Sequence, residues 1–396
     1  MTSFALLCVT GFLAIFSSTI SKSPVLPLFA AHLGADPSEV GMVAAVSAFT
    51  GILSSIPAGM LSDRWGRKKM LMISSVVFAT APFLYLFVSD IWQLAAVRFY
   101  HGFATALFIP VSMALISDLF RRERGERMGW FSTATLLGRF VAPVVGGTML
   151  GLLAASPDFS YRAVYLVCGS AGASVFLLAF RIPDTRRDMN RQQNWVETLR
   201  AFKSVASNRA VIVTTIVEAA ILFAYGIFET FLPLYAKQHG ISSYETGIFL
   251  SSQIFILALT KPVMGRFSDR HGRKPQIAAG AIMGSCVIAA LSFFSSFAPF
   301  LIISIFFGLS LSVVTSATTA YIADLSKKET HGSAMGLLGS VMDIGHTTGP
   351  VAAGFIAAQF GFAQAFLAAS SVLFVSALLF LIFISSERCS VTGPAG

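Results

Sequence analysis

Residues 59–71 read GMLSDRWGRKKML, and residues 265–277 read GRFSDRHGRKPQI. The two stretches start 206 residues apart, since 265 minus 59 is 206. The same offset relates Leu26, Pro27, Leu28 and Gly34 to Leu232, Pro233, Leu234 and Gly240, and Asp118 to Asp324. With one residue inserted, an offset of 207 relates Gly138 to Gly345 and Pro143 to Pro350. The sequence therefore predicts two related halves joined in one chain.

The composition excludes a soluble globular protein. Hydrophobic residues make up 55% of the 396 residues and charged residues only 12%, whereas soluble domains carry about 25% charged residues. The net charge of +9 comes from bases spread among short loops rather than clustered on one face, so we expect no nucleic-acid partner. The four cysteines show no paired or metal-type spacing, so neither a disulfide framework nor a metal site is expected. The lipid bilayer is the expected partner.

Apolar segments separated by charged or turn-rich breaks predict an all-α integral membrane protein of twelve transmembrane spans. Spans 1 to 6 are predicted near residues 4–30, 39–61, 70–88, 91–119, 128–153 and 162–181. Spans 7 to 12 are predicted near residues 210–236, 244–266, 276–296, 298–323, 333–358 and 363–385. The first apolar run lacks a basic leader and is longer than a signal-peptide core, so it is expected to be an uncleaved span.

These spans divide into an N-terminal six-helix half (1–181), a cytoplasmic linker (182–209) and a C-terminal six-helix half (210–396). Within the linker, Trp195, Leu199 and Phe202 have the spacing of a short interfacial helix, but a solvated linker fits equally well. Lysine and arginine concentrate in the loops that follow spans 2, 4 and 8. Because such loops stay on the cytoplasmic side, both termini are predicted in the cytoplasm of a cell (inner or plasma) membrane.

The loop after span 2 carries a highly specific pattern, by which the chain resembles the major facilitator superfamily. The matching residues are Gly59, Leu61, Asp63, Arg64, Gly66, Arg67 and Lys68, and the second half repeats Asp269, Arg270, Gly272 and Arg273. Gly59 and Gly66 are expected to permit a tight reversal, and Asp63 to accept hydrogen bonds from the N-terminus of a facing helix. The resemblance implies that this cluster latches the cytoplasmic ends of the two halves together. The basic residues also serve to set the topology.

Two further patterns of that family are present. Arg98 and Gly102 match a motif of span 4, with His101 in place of its usual glutamine. Gly138, Pro143, Gly146 and Gly147 match a span 5 motif that marks the antiporters of the family, with Ala142 replacing its central glycine. The motifs are most similar to those of the proton-coupled drug and multidrug efflux branch. The resemblance implies two pseudo-symmetric six-helix halves, the major facilitator fold, with the substrate site between them.

Ionisable residues within the spans are the other functional signal, because each costs about 2.5–3.5 kcal/mol even on insertion scales. Those of the first half are the bases Lys22, Arg98 and Arg139, with His101 near Arg98. Those of the second half include the acids Glu218, Glu229 and Asp343. Glu218 and Glu229 lie eleven residues apart, about three helical turns, so both carboxylates and Tyr225 share one face of span 7.

In the family that the chain resembles, spans 1, 4, 7 and 10 line the cavity, which would place Lys22, Arg98, Glu218 and Glu229 along the substrate path. A carboxylate that exchanges partners can bind and release a proton, and Glu229 and Asp343 are the first candidates for this role. The alternative is a static ion pair, such as Lys22 with Glu229. Arg98 would alternatively extend toward the outer interface, and Glu218 would lie near the cytoplasm and be hydrated.

The resulting functional hypothesis is a secondary active transporter that works by alternating access, a proton-coupled exporter of an amphipathic or drug-like compound. Its expected partners are a small-molecule substrate and protons, it needs no cofactor beyond a proton gradient, and it acts as a monomer. A first alternative is uptake or exchange of an organic anion clamped by Lys22, Arg98 and Arg139. A second is a non-transporting receptor on the same fold. No nucleotide-binding or hydrolase motif occurs, so an enzyme is not expected.

Overall fold

The structure is a computed structural model that describes residues 2–120, 122–183, 207–326 and 331–391. For residues 55–60, 63, 64, 331–333 and 384–391 it describes the backbone alone. The predicted interfacial helix near Trp195 and the side chains of Asp63 and Arg64 lie outside this description. The regular structure of the described residues is helical throughout.

The described residues form thirteen α-helices, and the short 3-10 helices Tyr85–Phe87 and Leu291–Phe293 follow the fourth and the tenth of them. The α-helices are α1 (Ser3–Ile20), α2 (Val25–His32), α3 (Pro37–Trp65), α4 (Arg67–Leu84), α5 (Ile91–Leu119), α6 (Arg124–Leu152), α7 (Pro157–Ala179), α8 (Arg209–Gln238), α9 (Ser243–His271), α10 (Arg273–Ala290), α11 (Phe297–Leu325), α12 (His331–Phe360) and α13 (Phe362–Val391). Helices α1 and α2 together form predicted span 1, and each later span is one helix, so that span 7 is α8.

Eleven helical segments of the described residues are long and apolar enough to cross a membrane. The remaining predicted span, span 11, forms α12, which is 30 residues long. It is less apolar because it is rich in glycine and contains Asp343 and His346. The predicted all-α membrane fold is confirmed, and the helices extend a few residues beyond most of the predicted ends.

The described residues fall into two compact units. Unit 1 lies within residues 1–192 and 229–254, and unit 2 within residues 193–228 and 255–396. In unit 1, α1 packs mainly on α6, α3 on α5, and α4 on α5 and α7. In unit 2, α10 packs on α11 and α13, and α12 packs on α13. The pairs α4–α5 and α4–α7 thus recur as α10–α11 and α10–α13, as expected of a repeat.

The turn after span 2 is the same in both repeats. Gly66 has a φ of 92° and Gly272 a φ of 94°, and each residue ends one helix and begins the next. Only glycine adopts this backbone region without strain, which explains its presence at both positions. The tight reversal is made there and not at Gly59, which lies inside α3, so the expected contribution of Gly59 to the turn is wrong.

Candidate functional site

Lys22 lies where the first span is interrupted. Residues 21–24 form a turn between α1 and α2, because Pro24 cannot continue the hydrogen-bonding pattern of α1. The Lys22 ammonium donates a hydrogen bond to Glu229 Oε2 of α8 at 2.8 Å. Both residues belong to unit 1, and their side chains are 22% and 9% exposed. The ion pair that sequence analysis gave as an alternative is therefore formed.

Arg98 of α5 does not extend to an interface. The residue is 3% exposed, its Nη2 donates to Ser47 Oγ at 2.7 Å, and its Nη1 donates to the Tyr85 hydroxyl at 3.4 Å. Tyr85 also hydrogen-bonds His101 Nδ1 at 3.3 Å and stacks on Tyr165 with ring centroids 4.3 Å apart. Arg98 Nε, His101 Nε2 and the Tyr165 hydroxyl are buried without a hydrogen-bond partner. Sequence analysis missed Ser47, Tyr85 and Tyr165, since neutral residues give no charge signal.

Positive charge exceeds negative charge around Lys22. Arg98 and Arg139 are both close enough to repel the Lys22 ammonium electrostatically, while Glu229 attracts it. Arg139 is exposed on α6. The three predicted basic residues of the first half therefore act on one region of unit 1, together with one carboxylate.

Glu218 occupies a different environment from Glu229. It is completely buried, and the Thr318 hydroxyl of α11 donates to its Oε2 at 2.5 Å. Its Oε1 is buried without a partner, as are the hydroxyl oxygens of Ser312 and Thr315 on α11. Among the residues that the structure describes, Glu218 forms no ion pair. The alternative of a hydrated Glu218 does not fit this burial.

Tyr225 lies at the contact between α8 and α12, and Asp343 lies on α12 three residues before His346, the partner of Tyr225. Asp343 is half-buried, and within the described chain its carboxylate has no hydrogen bond or ion pair. Tyr225 stacks on His346 with ring centroids 5.3 Å apart. A Cβ atom added at Gly226 would lie 2.8 Å from the His346 carbonyl oxygen. The residues predicted to share one face of span 7 thus contact three different parts of the chain, the turn between α1 and α2 for Glu229, α11 for Glu218 and α12 for Tyr225.

The span 5 motif packs α6 closely against two helices. A Cβ atom added at Gly138 would overlap the Phe12 carbonyl oxygen of α1, and one added at Gly147 would overlap the Ser243 carbonyl oxygen of α9. Pro143 lies in the same contact, because its carbonyl oxygen would overlap a Cβ atom added at Gly247 of α9. A Cβ atom at Gly146 would come within 3.3 Å of two side chains, those of Ile20 and Val25. Small residues at such contacts let helix backbones approach in a membrane.

The loop motif forms equivalent contacts in the two repeats. Arg67 Nε pairs with Asp118 Oδ2 at 3.3 Å, and Arg67 also donates to Ser62 Oγ. Arg273 Nε pairs with Asp324 Oδ2 at 3.1 Å and donates to Ser268 Oγ. Each of these contacts lies within one half of the chain. Sequence analysis did not place Asp118 and Asp324 in the motif, although the offset of 206 already related them.

The remaining motif residues make local contacts. Asp269, near the end of α9, forms an ion pair with Arg273, the first residue of α10. Lys68 donates to the Phe180 carbonyl oxygen at 3.1 Å, and Arg270 is exposed. The latch between the two halves stays a prediction.

Comparison with known proteins agrees with this architecture. The model of the Major Facilitator Superfamily matches residues 7–258 and 215–393 of the chain. The chain belongs to the major facilitator superfamily. It is therefore a multi-pass membrane transporter and not an enzyme, which confirms the resemblance deduced from the motifs.

Two curated relatives span nearly the whole chain. An uncharacterized MFS-type transporter of Methanocaldococcus jannaschii is 25% identical over 374 residues, 92% of this chain and 91% of the relative. The multi-drug resistance efflux pump PmrA of Streptococcus pneumoniae is 25% identical over 370 residues, 91% of this chain and 90% of the pump. The similarity to drug-efflux proteins agrees with the branch indicated by the span 5 motif.

Two solved structures share the fold. The nucleoside transporter NupG superposes with a TM-score of 0.79 at 15% identity, covering 97% of this chain and 99% of that one. A bacterial homologue of the lysosomal transporter Spinster, inward-facing and unoccupied, superposes with a TM-score of 0.77 at 14% identity, covering 96% and 94%. At these identities the likeness establishes the fold alone.

Proposed function

We propose that this transporter exports an amphipathic or drug-like compound in exchange for protons, by alternating access. Three independent features support this function. The relative PmrA, of which this chain covers 90%, is named a multi-drug resistance efflux pump. The glycines of the span 5 motif, which resembles that of antiporters, bring α6 into close backbone contact with α1 and α9. Finally, unit 2 holds the buried carboxyl group of Glu218, which forms no ion pair within the described chain, although Lys261 of α9 attracts it electrostatically.

Glu218 is the observation that carries the proposal. A carboxylate without a cation is very unfavourable in a low-dielectric interior, whereas the neutral acid needs only hydrogen bonds. Thr318 provides one such bond, and the two unpartnered hydroxyls of Ser312 and Thr315 are buried on the same helix. Glu218 is therefore suited to hold a proton in this conformation and to release it when the surroundings become hydrated. This role places Glu218 ahead of Asp343 as the proton carrier.

The Lys22–Glu229 pair has a complementary role in the proposal. Its two partners come from the interrupted first span and from α8, and the side chain of Lys22 is partly exposed whereas Glu229 is mostly buried. A cationic or amphipathic substrate that approaches Glu229 competes with Lys22 for the carboxylate. Breaking the pair exposes Lys22 to the repulsion of Arg98 and Arg139. Substrate binding at Glu229 and proton release at Glu218, both on α8, would thus be linked through one helix.

The test uses proteoliposomes of known orientation that contain a pH dye, with cationic, neutral and anionic compounds as substrates. We expect wild type to show proton flux driven by cationic or neutral lipophiles. Glutamine in Glu218→Gln has the size of glutamate and still accepts a hydrogen bond, but it cannot bind and release a proton. This variant should therefore lose substrate-driven proton flux and keep the exchange of substrate between equal concentrations on the two sides of the membrane. Glu229→Gln should weaken both readouts, because it removes the group that binds the substrate. Asp343→Asn should have the smallest effect of the three.

A matched control is Glu245→Gln. Glu245 accepts hydrogen bonds from Ser242 at the exposed start of α9, and glutamine also serves at this position of a helix cap. The control should behave like wild type in both readouts. Unchanged proton flux in Glu218→Gln would contradict the assignment of the carrier, and loss of exchange as well would indicate damage to the fold rather than to coupling.

The second candidate function is transport of an organic anion. It is favoured by the excess of positive charge around Lys22, where Arg98 and Arg139 act on the same region. An anion would replace Glu229 as the partner of Lys22. A response of the reconstituted protein to anionic compounds only, abolished by Lys22→Gln, would select this function over drug export.

The same proposal includes the setting of the transporter. We infer that both termini lie on the cytoplasmic side of the cell membrane, since the basic loops follow the even-numbered spans. That the transporter works as a monomer stays a prediction. The proton gradient would be its only source of energy, without a bound cofactor or a nucleic-acid partner. Labelling of single cysteines placed in the loops after spans 2 and 3, in sealed vesicles, tests this orientation.

A further inference from the structure

A groove with a volume of about 510 Å³ lies between α8, α12 and α13 of unit 2. Its floor is the contact of α8 with α12, where a Cβ atom added at Gly345 would overlap the Ala219 carbonyl oxygen. Ala219, Ala220 and Phe223 line it from α8, and Val375 and Leu379 line it from α13. None of the groups assigned to coupling lines the groove, so it is separate from the proposed proton site.

Comparison of the two repeats explains how the groove arises. Gly138 approaches Phe12 in the first half as Gly345 approaches Ala219 in the second, and both pairs differ by the offset of 207. The equivalents of Ala219 and Ala220 are therefore Phe12 and Leu13. Two large side chains of the first half are replaced by two methyl groups. Ala219 and Ala220 therefore leave room on α8 that side chains of the size of Phe12 and Leu13 would occupy.

The groove offers no polar recognition. Its three hydroxyl groups belong to Thr348, Ser371 and Ser376, and they donate to carbonyl oxygens of their own helices at 2.8, 2.9 and 2.7 Å. No charged side chain lines the groove. A ligand that fits must therefore be hydrocarbon, since a headgroup or a polar compound would lose its hydrogen bonds to water without gaining others.

The groove is open to the membrane and elongated. Ile344 is 48% exposed, and Val375 and Leu379 are each 52% exposed, on helices long enough to span a bilayer. The lining of α13 extends over eight residue steps from Ser371 to Leu379, or about 12 Å at 1.5 Å per residue. These dimensions suit a chain-like ligand that lies along the helices and is supplied by the surrounding lipid.

We propose that this groove is a binding site for one acyl chain of a bilayer lipid. The chain occupies the space that Phe12 and Leu13 fill in the first half and completes the packing of α8 against α12 and α13. Because α8 carries Glu218 and Glu229, the occupied groove supports the helix on which the proposed coupling groups lie. The site does not depend on the transported substrate or on proton coupling.

The test is photolabelling by a phosphatidylglycerol that carries a diazirine in one acyl chain, diluted into phosphatidylcholine vesicles that hold the full chain. Labelled residues are mapped by peptide mass spectrometry without a gradient or substrate. We expect label on groove residues of α8, α12 and α13 well above the label on other lipid-exposed helices.

The double variant Ala219→Phe/Ala220→Leu introduces into the groove the two side chains that the first half has at the equivalent positions. If the larger side chains remove the contact of the groove with about two methylene groups of the acyl chain, the affinity for the chain falls roughly tenfold. The label on the groove should fall by about the same factor.

Two further variants keep the test decisive. Val375→Phe fills the groove from its exposed rim and should lower the label even if the double variant folds poorly. Cys286→Phe adds the same bulk at an exposed position of α10 outside the groove and should leave the groove label unchanged. Even labelling over all exposed helices, or groove label unaffected by both filling variants, would overturn the proposal. Displacement of the label by a transported compound would also overturn it, since the groove would then bind substrate.

Discussion

The two halves of the chain have the same framework and different buried groups. Gly138 approaches Phe12, and Gly345 approaches Ala219, at positions related by the repeat. The equivalent ion pairs Arg67–Asp118 and Arg273–Asp324 join the ends of equivalent helices. Contacts that hold helices together have therefore been kept in both halves, which is expected because either half would otherwise lose its packing.

The polar interior of each half is unlike that of the other. In the first half, Arg98, Tyr85 and His101 form a buried cluster. Their equivalents at the offset of 206 are Ser304, Leu291 and Phe307. In the second half, Glu218 accepts a hydrogen bond from Thr318. The first half has Gly11 at the position related to Glu218 by the offset of 207, which holds for α1 and α8, and Ser112 at the position related to Thr318 by the offset of 206. The first half thus buries a base and the second half an acid. We expect the chemistry of transport at these differing groups, since groups required for packing in both halves would occur twice.

The largest difference is expected from removing the hydroxyl groups at the equivalent positions 318 and 112. Thr318→Val leaves the completely buried Glu218 without its hydrogen-bond donor and should lower the free energy of unfolding by about 3 kcal/mol. Ser112→Ala removes a hydroxyl oxygen that has no partner and should change the free energy of unfolding by less than about 0.5 kcal/mol. Reversible unfolding in mixed micelles measures both.

Substrate-driven proton flux supplies a second readout for the same pair. It should fall strongly in Thr318→Val and remain in Ser112→Ala, because only the former contacts the proposed carrier. Equal stability losses in the two variants would break the comparison, since they would show that both hydroxyls serve packing alone.

A second pair of variants tests the helix contacts themselves. Gly349 of α12 is equivalent to Ala142 of α6 at the offset of 207. A Cβ atom at Gly349 would overlap the Phe223 carbonyl oxygen, whereas the buried Ala142 already accommodates its methyl group. Gly349→Ala should therefore lower the free energy of unfolding by about 2 kcal/mol through overpacking. Ala142→Gly should lower it by only about 1 kcal/mol, the difference in helix propensity.

Thermal unfolding of the two purified variants checks this ranking. The reverse order would mean that α12 shifts to accept the methyl group more easily than α6 tolerates its loss. In that case the close approach at Gly349 would not be a fixed feature of the second half.

The sequence was sufficient for the fold but not for the partners of each charged group. Twelve spans and the repeat follow from hydropathy and from two loops, because a membrane chain must satisfy its backbone within helices. The ion pair of Glu229 with Lys22 was anticipated as an alternative, since both are charged and both belong to spans that the resemblance implies line the cavity. Thr318 could not be predicted, because a threonine within an apolar helix gives no signal until the helix opposite is known. Asp118 could have been recognised as part of the loop motif, because it recurs in the second half as Asp324. The two residues were noted as a repeat but were not connected to the motif.

The ion pairs of the loop motif should differ by a smaller amount. The side chains of Arg67 and Asp118 are 8% and 26% exposed, against 19% and 58% for Arg273 and Asp324. Asp118→Asn weakens a mostly buried pair and should lower the free energy of unfolding by about 1 kcal/mol or more. Asp324→Asn should cost less than about 0.5 kcal/mol, because the pair is solvent-screened and Arg273 retains Asp269.

Salt provides the control for this pair of variants. The effect of Asp324→Asn should disappear in about 1 M salt, where charges are screened over about 3 Å. The effect of Asp118→Asn should persist. A larger effect at Asp324 than at Asp118 would contradict the ranking by burial.

The smallest expected difference concerns the helix caps that begin α3 and α9. Asp36 accepts hydrogen bonds from the backbone amides of Ser38 and Glu39 at 2.7 and 3.0 Å, whereas the equivalent residue in the second half is Ser242. Hydrogen bonds from the Ser38 side chain and the Glu39 amide hold the pKa of Asp36 below its ordinary value of 3.8. A depressed pKa stabilises the fold above the ordinary value, and this stabilisation is lost as the pH falls through the pKa of the folded state. Serine has no such titration.

We expect amide-exchange protection at the start of α3, corrected for intrinsic exchange rates, to decrease as the pH falls below ~4, and to decrease by more than the protection at the start of α9. Asp36→Ser should make the two helix starts respond alike, and an equal response in the wild type would show that the Asp36 carboxylate does not govern this cap.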